Sequence, residues 1–155
     1  MATGRTPRGI RNNNPLNIRI GNDWIGEVDK NTDGVFEQFK NMIYGIRAGF
    51  IILRKYINKY NRNTIAKIIQ AWAPSNENYT QAYITYVSTM VDIDKDATIK
   101  YTDEMTMRRI VFAMIEYECG IHAVLEWEEE TERNMKECIA IAYDFAISQQ
   151  NNIAF

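Results

Sequence analysis

The sequence predicts an α+β fold that is predominantly α-helical, with a small β-hairpin lobe near the N-terminus. Two observations carry this. From Asn41 onward apolar residues recur at three- and four-residue steps, the period of a helix with one buried face. Residues 1–40 are instead rich in Asn, Gly and Arg and hold only two short extended candidates, Asn17–Ile20 and Val35–Phe39, the second entered through the turn pair Asp33-Gly34.

Taken in order, Ile43, Ile46, Phe50, Leu53 and Ile57 define one long helix to about Tyr60. Asn63 is placed as the cap of the next, which carries Ile65, Ile68, Ile69 and Trp72 and stops before Pro74. A third runs from about Asn78 to Met90, with Tyr79, Ala82, Tyr83, Tyr86 and Val87 on one side. A fourth begins after Thr102 and ends at Gly120, a natural C-terminal stop. The last, about Glu130 to Gln149, is expected to bury Met135, Cys138, Ile139, Ala142 and Phe145.

The 155 residues, 46% hydrophobic and 25% charged, suit one domain spanning 1–155, with 1–11 as a basic arm. A net charge of -2 argues against a protein that grips polyanions over its whole surface. Arg5, Arg8, Arg11 and Arg19 precede the first acid, Asp23, and are the sole basis for a nucleic-acid role, which is set aside. The longest apolar run, Ala48–Leu53, is far too short to span a bilayer, and the first residues lack an apolar signal core. No membrane span and no signal peptide are therefore expected. Two cysteines, Cys119 and Cys138, and one histidine, His122, give no metal-ligand spacing, so no metal and no cofactor is expected. The acidic run Glu126–Glu132 reads as the solvated start of the last helix, or as a contact surface if Trp127 is exposed.

Several blocks occur in a specific order: RGIRNNNPLNIR (Arg8–Arg19), Trp24-Ile25-Gly26, FEQF (Phe36–Phe39), YGIRA (Tyr44–Ala48), TIAKIIQAWAP (Thr64–Pro74), ENYTQAYITYV (Glu77–Val87) and IEYECG (Ile115–Gly120). Across about residues 8–120 the chain resembles a family of small phage virion proteins related to lysozyme-like peptidoglycan hydrolases. That resemblance implies a lysozyme-like fold, cleavage of the glycan strands of peptidoglycan by hydrolytic or lytic chemistry, and residence in the phage particle or in the host cytoplasm before delivery to the wall. In similar bacterial glucosaminidases the Asn-rich turn follows the helix bearing the catalytic glutamate. Here no glutamate precedes Glu27, and the family's Glu-Asn-Gly signature is matched by Glu118-Cys119-Gly120. A circularly permuted lysozyme core is the arrangement this implies.

The residues of the fourth helix point the same way. Met107, Ile110, Val111, Met114 and Ile115 form its apolar stripe, and Glu118 continues that stripe while Glu116 lies off it. A carboxyl group at the end of an apolar face, in the last turn of a helix, keeps its proton to higher pH, as a general acid for glycoside cleavage must. For the second carboxylate the candidates are Asp23, Glu27, Asp33 and Glu37, with Glu27 preferred. Amides that could meet sugar are Asn12, Asn13, Asn14 and Asn17; rings are Trp24, Tyr79 and Tyr83. The asparagines serve equally as turn formers, and Trp72 reads as core. Two other readings stand beside this one: a non-catalytic virion protein that binds glycan or other virion subunits, and, from Cys119 and His122 three residues apart, a cysteine peptidase. A helix C-terminus beside carboxylates disfavours the thiolate that the peptidase needs.

Overall fold

A computed structural model describes residues 6–74 and 76–152, with side chains described to residue 148. Seven α-helices are present among these residues: α1 (Arg8–Arg11), α2 (Met42–Arg54), α3 (Ile65–Trp72), α4 (Glu77–Val91), α5 (Glu104–Cys119), α6 (Ile121–Thr131) and α7 (Met135–Asn152), with α2 prolonged by a π-helical turn over Lys55–Lys59. No described helix is long and apolar enough to cross a membrane. Arg5, part of the expected basic arm, lies outside the described residues.

α2 to α5 start where side chains take up orphaned N–H groups. Asn41, Thr64, Asn76 and Asp103 accept bonds from Tyr44, Lys67, Tyr79 and Thr106 respectively. The cap of α3 is thus Thr64, one residue beyond the expected Asn63. Gly120, at φ 89°, ends α5 as expected but also opens α6 directly. The acidic run therefore falls mostly at the C-terminal half of α6 rather than at the start of the last helix, and Trp127 is buried. The expected final helix, about Glu130 to Gln149, is α7 and begins at Met135, because left-handed Glu132, φ 56°, ends a helix that the spacing does not show, α6.

α2 packs along α7, α5 against α4 and α7, and α3 against α4, while α1 touches α5 and α6. The stripes read from spacing form the core: Ile46, Phe50 and Leu53 from α2, Ile65, Ile68 and Ile69 from α3, and Met107, Ile110, Val111, Met114 and Ile115 from α5 are all buried. In α7, Met135, Cys138, Ile139 and Ala142 are buried as expected, whereas Phe145 is half-buried and Tyr143 and Ala146 take the inner positions.

The expected β-hairpin lobe is corrected by the structure: the described residues contain no sheet, only two isolated antiparallel bridges, Arg19 with Phe36 and Glu27 with Phe39. The fold is all-helical with an irregular N-terminal lobe. The two extended candidates do meet, through Ile20 N–H to the Val35 carbonyl at 3.0 Å and Glu37 N–H to the Ile18 carbonyl at 2.9 Å. Residues 35–40 then change partner, Val28 N–H reaching the Gln38 carbonyl and Lys40 N–H the Gly26 carbonyl. Left-handed Asn17, Gly26 and Gly34 bend the flanking chain, so neither pairing extends into a ladder. Side chains replace it: the Asn31 Oδ1 accepts from Asp33 and Gly34 N–H, and the Asp33 Oδ1 from Phe36 N–H.

This lobe lies on a flat strip of α2. A Cβ at Gly45 would collide with the Asn13 carbonyl, and one at Gly49 with the Leu16 side chain. Gly45→Ala removes a helix-weakening glycine, worth about 1 kcal/mol in favour of the variant, yet the backbone carbonyl it meets has no rotamer to escape by. Gly45→Ala is expected to cost about 2 kcal/mol net and lower Tm by roughly 4–8 °C. Gly21→Ala, where a Cβ meets nothing within 4 Å, is expected to leave Tm unchanged. Thermal denaturation followed by circular dichroism checks both, and an unaltered Gly45→Ala melt would refute this close approach.

Candidate functional site

The Asn-rich segment between α1 and the irregular lobe is wound tightly on itself. Asn13 and Asn17 have left-handed backbone, φ 52° and 54°, which Asn tolerates better than other residues with a Cβ. Asn14 is fully buried; its Nδ2 donates to the Ile18 and Glu37 carbonyls at 2.9 and 3.1 Å and its Oδ1 accepts from Ile18 N–H at 3.0 Å. The Asn13 Nδ2 donates to the Phe39 carbonyl, and Asn12 bridges Asp33 and Gln38. Of the four candidate amides, Asn12, Asn13 and Asn14 are thus engaged within the lobe, and Asn17 is the one that reaches across to α5.

There the Asn17 Nδ2 donates to the Glu118 Oε1 at 2.8 Å. Glu118 sits in the last turn of α5, half-buried, facing the loop as the apolar stripe predicts. Burial pushes its carboxyl above the ordinary carboxylate value, while hydrogen bonds from Asn17 and the Tyr83 hydroxyl pull the other way and are outweighed. The join between loop and helix is close. Cys119 is buried with its Sγ donating to the Pro15 carbonyl at 3.4 Å, and the Trp72 Nε1 donates to the Leu16 carbonyl at 3.2 Å. Burial first, then the neighbouring Glu118 charge, lift the Cys119 thiol to about 12, so it remains protonated. His122 is exposed, and these facts leave no thiolate for a peptidase.

A tyrosine cluster flanks Glu118. Tyr83 is fully buried and stacks on Tyr117, centroids 4.2 Å apart and planes at 21°. Tyr79 stands edge-on to both, at 6.1 and 5.7 Å, and is exposed; Tyr86 leans on Tyr117 at 5.5 Å. Burial keeps the Tyr83 hydroxyl protonated far above neutrality, and it donates to the Met114 carbonyl at 3.5 Å, close to Glu118. Sequence reasoning missed Tyr117, although it lies one residue before Glu118 and four before Ile121; only the spacing of Tyr79, Tyr83 and Tyr86 on the partner helix marks where a fourth ring would pack. It also misplaced Glu116, which is buried and whose Oε1 accepts from the Tyr86 hydroxyl at 3.3 Å.

The other acids lie in the N-terminal lobe. Asp33 is held well below the ordinary carboxylate range, first by the Arg8 guanidinium, which meets it bidentately at 2.8 and 2.9 Å, then by the Phe36 N–H and Asn12. Arg8 is spent on this pair and on the Phe36 ring beneath it, 4.8 Å away. Asp23 is exposed. Glu27 faces Glu37, which is 5% exposed; burial, then the hydrogen bond and charge of Glu27, raise Glu37 to about 7. Glu27 Oε1, Glu37 Oε2 and the Trp24 Nε1 are each buried without a partner among the described protein groups. Two carboxyls so placed share a proton. No direct contact among the described residues joins them, or Trp24, to Glu118; the link is the loop, in which Asn14 holds the Glu37 carbonyl and Asn17 holds Glu118.

These features define a helical protein in which an asparagine loop, packed on one helix, presents itself to a carboxyl on another. No protein-family model matches the chain. The sequence is 45% identical over 117 residues to Protein P5 of Pseudoalteromonas phage PM2, covering 73% of this chain and 71% of that protein. The chain belongs to the family of that bacteriophage protein.

The Glu27–Glu37 pair makes a signed prediction. The folded state keeps on Glu37 a proton that the unfolded chain releases near 4.5, so the contribution of this group is complete below that pH, falls as pH rises from 4.5 to about 7, and is level above. Denaturant titrations from pH 4.5 to 8 should show wild type losing stability relative to Glu37→Gln across that interval. Parallel curves for the two proteins would show that Glu37 titrates normally.

Proposed function

We propose that this chain is a virion-associated phage protein that engages the glycan strands of peptidoglycan and cleaves a glycosidic bond there, with Glu118 as general acid. The observation that carries this reading is the state of Glu118. It is a half-buried carboxyl whose affinity for its proton is raised by burial, lying beside an exposed ring, Tyr79, and an amide, Asn17. A leaving glycosidic oxygen needs a proton donor of this kind, and a sugar needs a ring face and an amide. Asn17 holds the carboxyl in place, and Tyr79 offers the stacking face. Entry of a sugar would dehydrate Glu118 further and strengthen its hold on the proton. Glu27 and Glu37, joined to this site only through the asparagine loop, are not needed as a second carboxyl in this reading.

A second reading, a virion structural protein that keeps this fold without catalysis, is favoured by one observation: Asn12, Asn13 and Asn14 are used up in building the lobe. The kinship to Protein P5 of a bacteriophage supports this structural reading better than the catalytic one.

Release of soluble fragments from purified peptidoglycan, with mass spectrometry of the products, separates the two. Glu118→Gln retains the shape and hydrogen-bonding reach of the side chain and is expected to fold normally with at least a roughly hundredfold slower release. Tyr79→Ala is expected to weaken binding of chitooligosaccharides in saturation-transfer NMR. Glu130→Gln, exposed on α6, is the control, since Glu116 is buried and bonded. Reducing-end products identify hydrolysis and anhydro-products lytic cleavage. No release by wild type establishes the structural reading, and equal release by wild type and Glu118→Gln moves the acid elsewhere.

A further inference from the structure

α4, α5 and α7 enclose a cleft of about 390 Å³ that the Glu118 site does not use. Its apolar lining includes Met90 and Met105, both well exposed, and Phe112. Its rim carries Arg108, Arg109 and Lys136. Arg108 is paired within its own helix to Glu104, at 3.3 Å; Lys136 rests over the Phe112 ring near Glu116, which also lines the cleft, and Arg109 forms no ion pair among the described residues. Exposed methionines around a basic rim suit an amphipathic helix better than a small ligand, because thioethers adapt to a side-chain surface and the cleft offers few convergent polar groups.

α6 is such a helix. Ile121, Leu125 and Glu129 follow at i, i+4 and i+8 and are all exposed, and Glu132, also exposed, lies at the helix end where the backbone turns left-handed. From Ile121 to Glu132 there are five glutamates and no Lys or Arg. A ridge that is apolar at one end and acidic at the other thus faces solvent on the same molecule that carries an apolar cleft with an exposed basic rim. We infer that the α4–α5–α7 cleft receives α6 of a second copy of this chain, Ile121 and Leu125 entering among Met90, Met105 and Phe112 while Glu129 and Glu132 meet Arg109 and Lys136. Cleft and ridge are different surfaces, so the contact is heterologous and propagates into a ring or chain of subunits, or closes as a pair when two such contacts form at once.

Sedimentation velocity of the full chain at rising concentration tests this, with circular dichroism melts confirming that each variant is folded. Wild type is expected to associate, less so at 500 mM than at 50 mM salt. Arg109→Glu with Lys136→Glu, and separately Glu129→Lys with Glu132→Lys, are each expected to weaken association at least roughly tenfold. Mixing the two variants should restore it, since the reversed cleft of one then suits the reversed ridge of the other. Wild type that stays monomeric overturns the proposal, as does association that the ridge variant leaves unchanged. A small anionic amphiphile released from the cleft on denaturation, in a protein that remains monomeric, would give the cleft a different occupant and equally reject α6.

Discussion

The contact on which the molecule depends is the seating of the Asn12–Ile18 loop against α2. Two glycines one turn apart, Gly45 and Gly49, remove the side chains that would hold the loop off, and the Asn13 carbonyl and Leu16 fill the space. A loop brought this close loses water around its backbone, and every buried polar group then needs a protein partner. Asn14 answers that need with three bonds from one buried amide. It thereby fixes Ile18 and the Glu37 carbonyl in one stroke, so the lobe's second half is positioned from the same point. Gly9 extends the arrangement to α1: a Cβ there would stand 3.0 Å from the Asn14 carbonyl, the Asn17 Oδ1 and the Cys119 Sγ together. The loop is thus gripped between α1, α2 and the end of α5, and the position of Asn17 against Glu118 is a consequence.

That dependence explains why the helices were legible in the sequence and the lobe was not. Helical spacing is a local property, and the residues it selects in α2, α3 and α5 are the buried ones. An extended segment becomes a strand only if a partner runs beside it for several residues, which is decided by the rest of the chain. Val35–Phe39 has β-forming residues but is shared between two short partners, so it yields bridges instead of a sheet. The break between α6 and α7 was hidden for a related reason: the run from Glu126 to Cys138 has no Gly or Pro, and the turn is made by left-handed Glu132, which sequence gives no cause to expect.

The candidate site was legible where one stripe settles it and obscure where two elements must meet. The facing of Glu118 follows from Met114 and Ile115 alone, and the structure puts it against the loop accordingly. Glu116 shows the limit of that reasoning, for a residue off the main stripe is also buried once a second helix, α4, covers that flank and offers the Tyr86 hydroxyl. The pairing of Glu27 with Glu37 is likewise invisible in sequence, because ten residues separate them and their meeting rests on the change of strand partner between Phe36 and Phe39.

α5 then gathers the chemistry of the molecule on one rod. Its first half carries Arg108 and Arg109 toward the cleft, its flank carries Glu116 against α4, and its final turn carries Glu118 against the loop. Because α5 also packs on α4 and α7, its backbone cannot shift without disturbing the core that Met107, Ile110, Val111, Met114 and Ile115 form. A carboxyl held at the end of such a rod keeps its geometry without stiffness of its own, a preorganisation that the proposed general-acid role would use. A neutral amide at position 118 could hold Asn17 as well and would avoid the cost of a half-buried acid. The presence there of glutamate, with the Asn17 amide donating to it, is therefore the observation on which the proposed catalytic role rests.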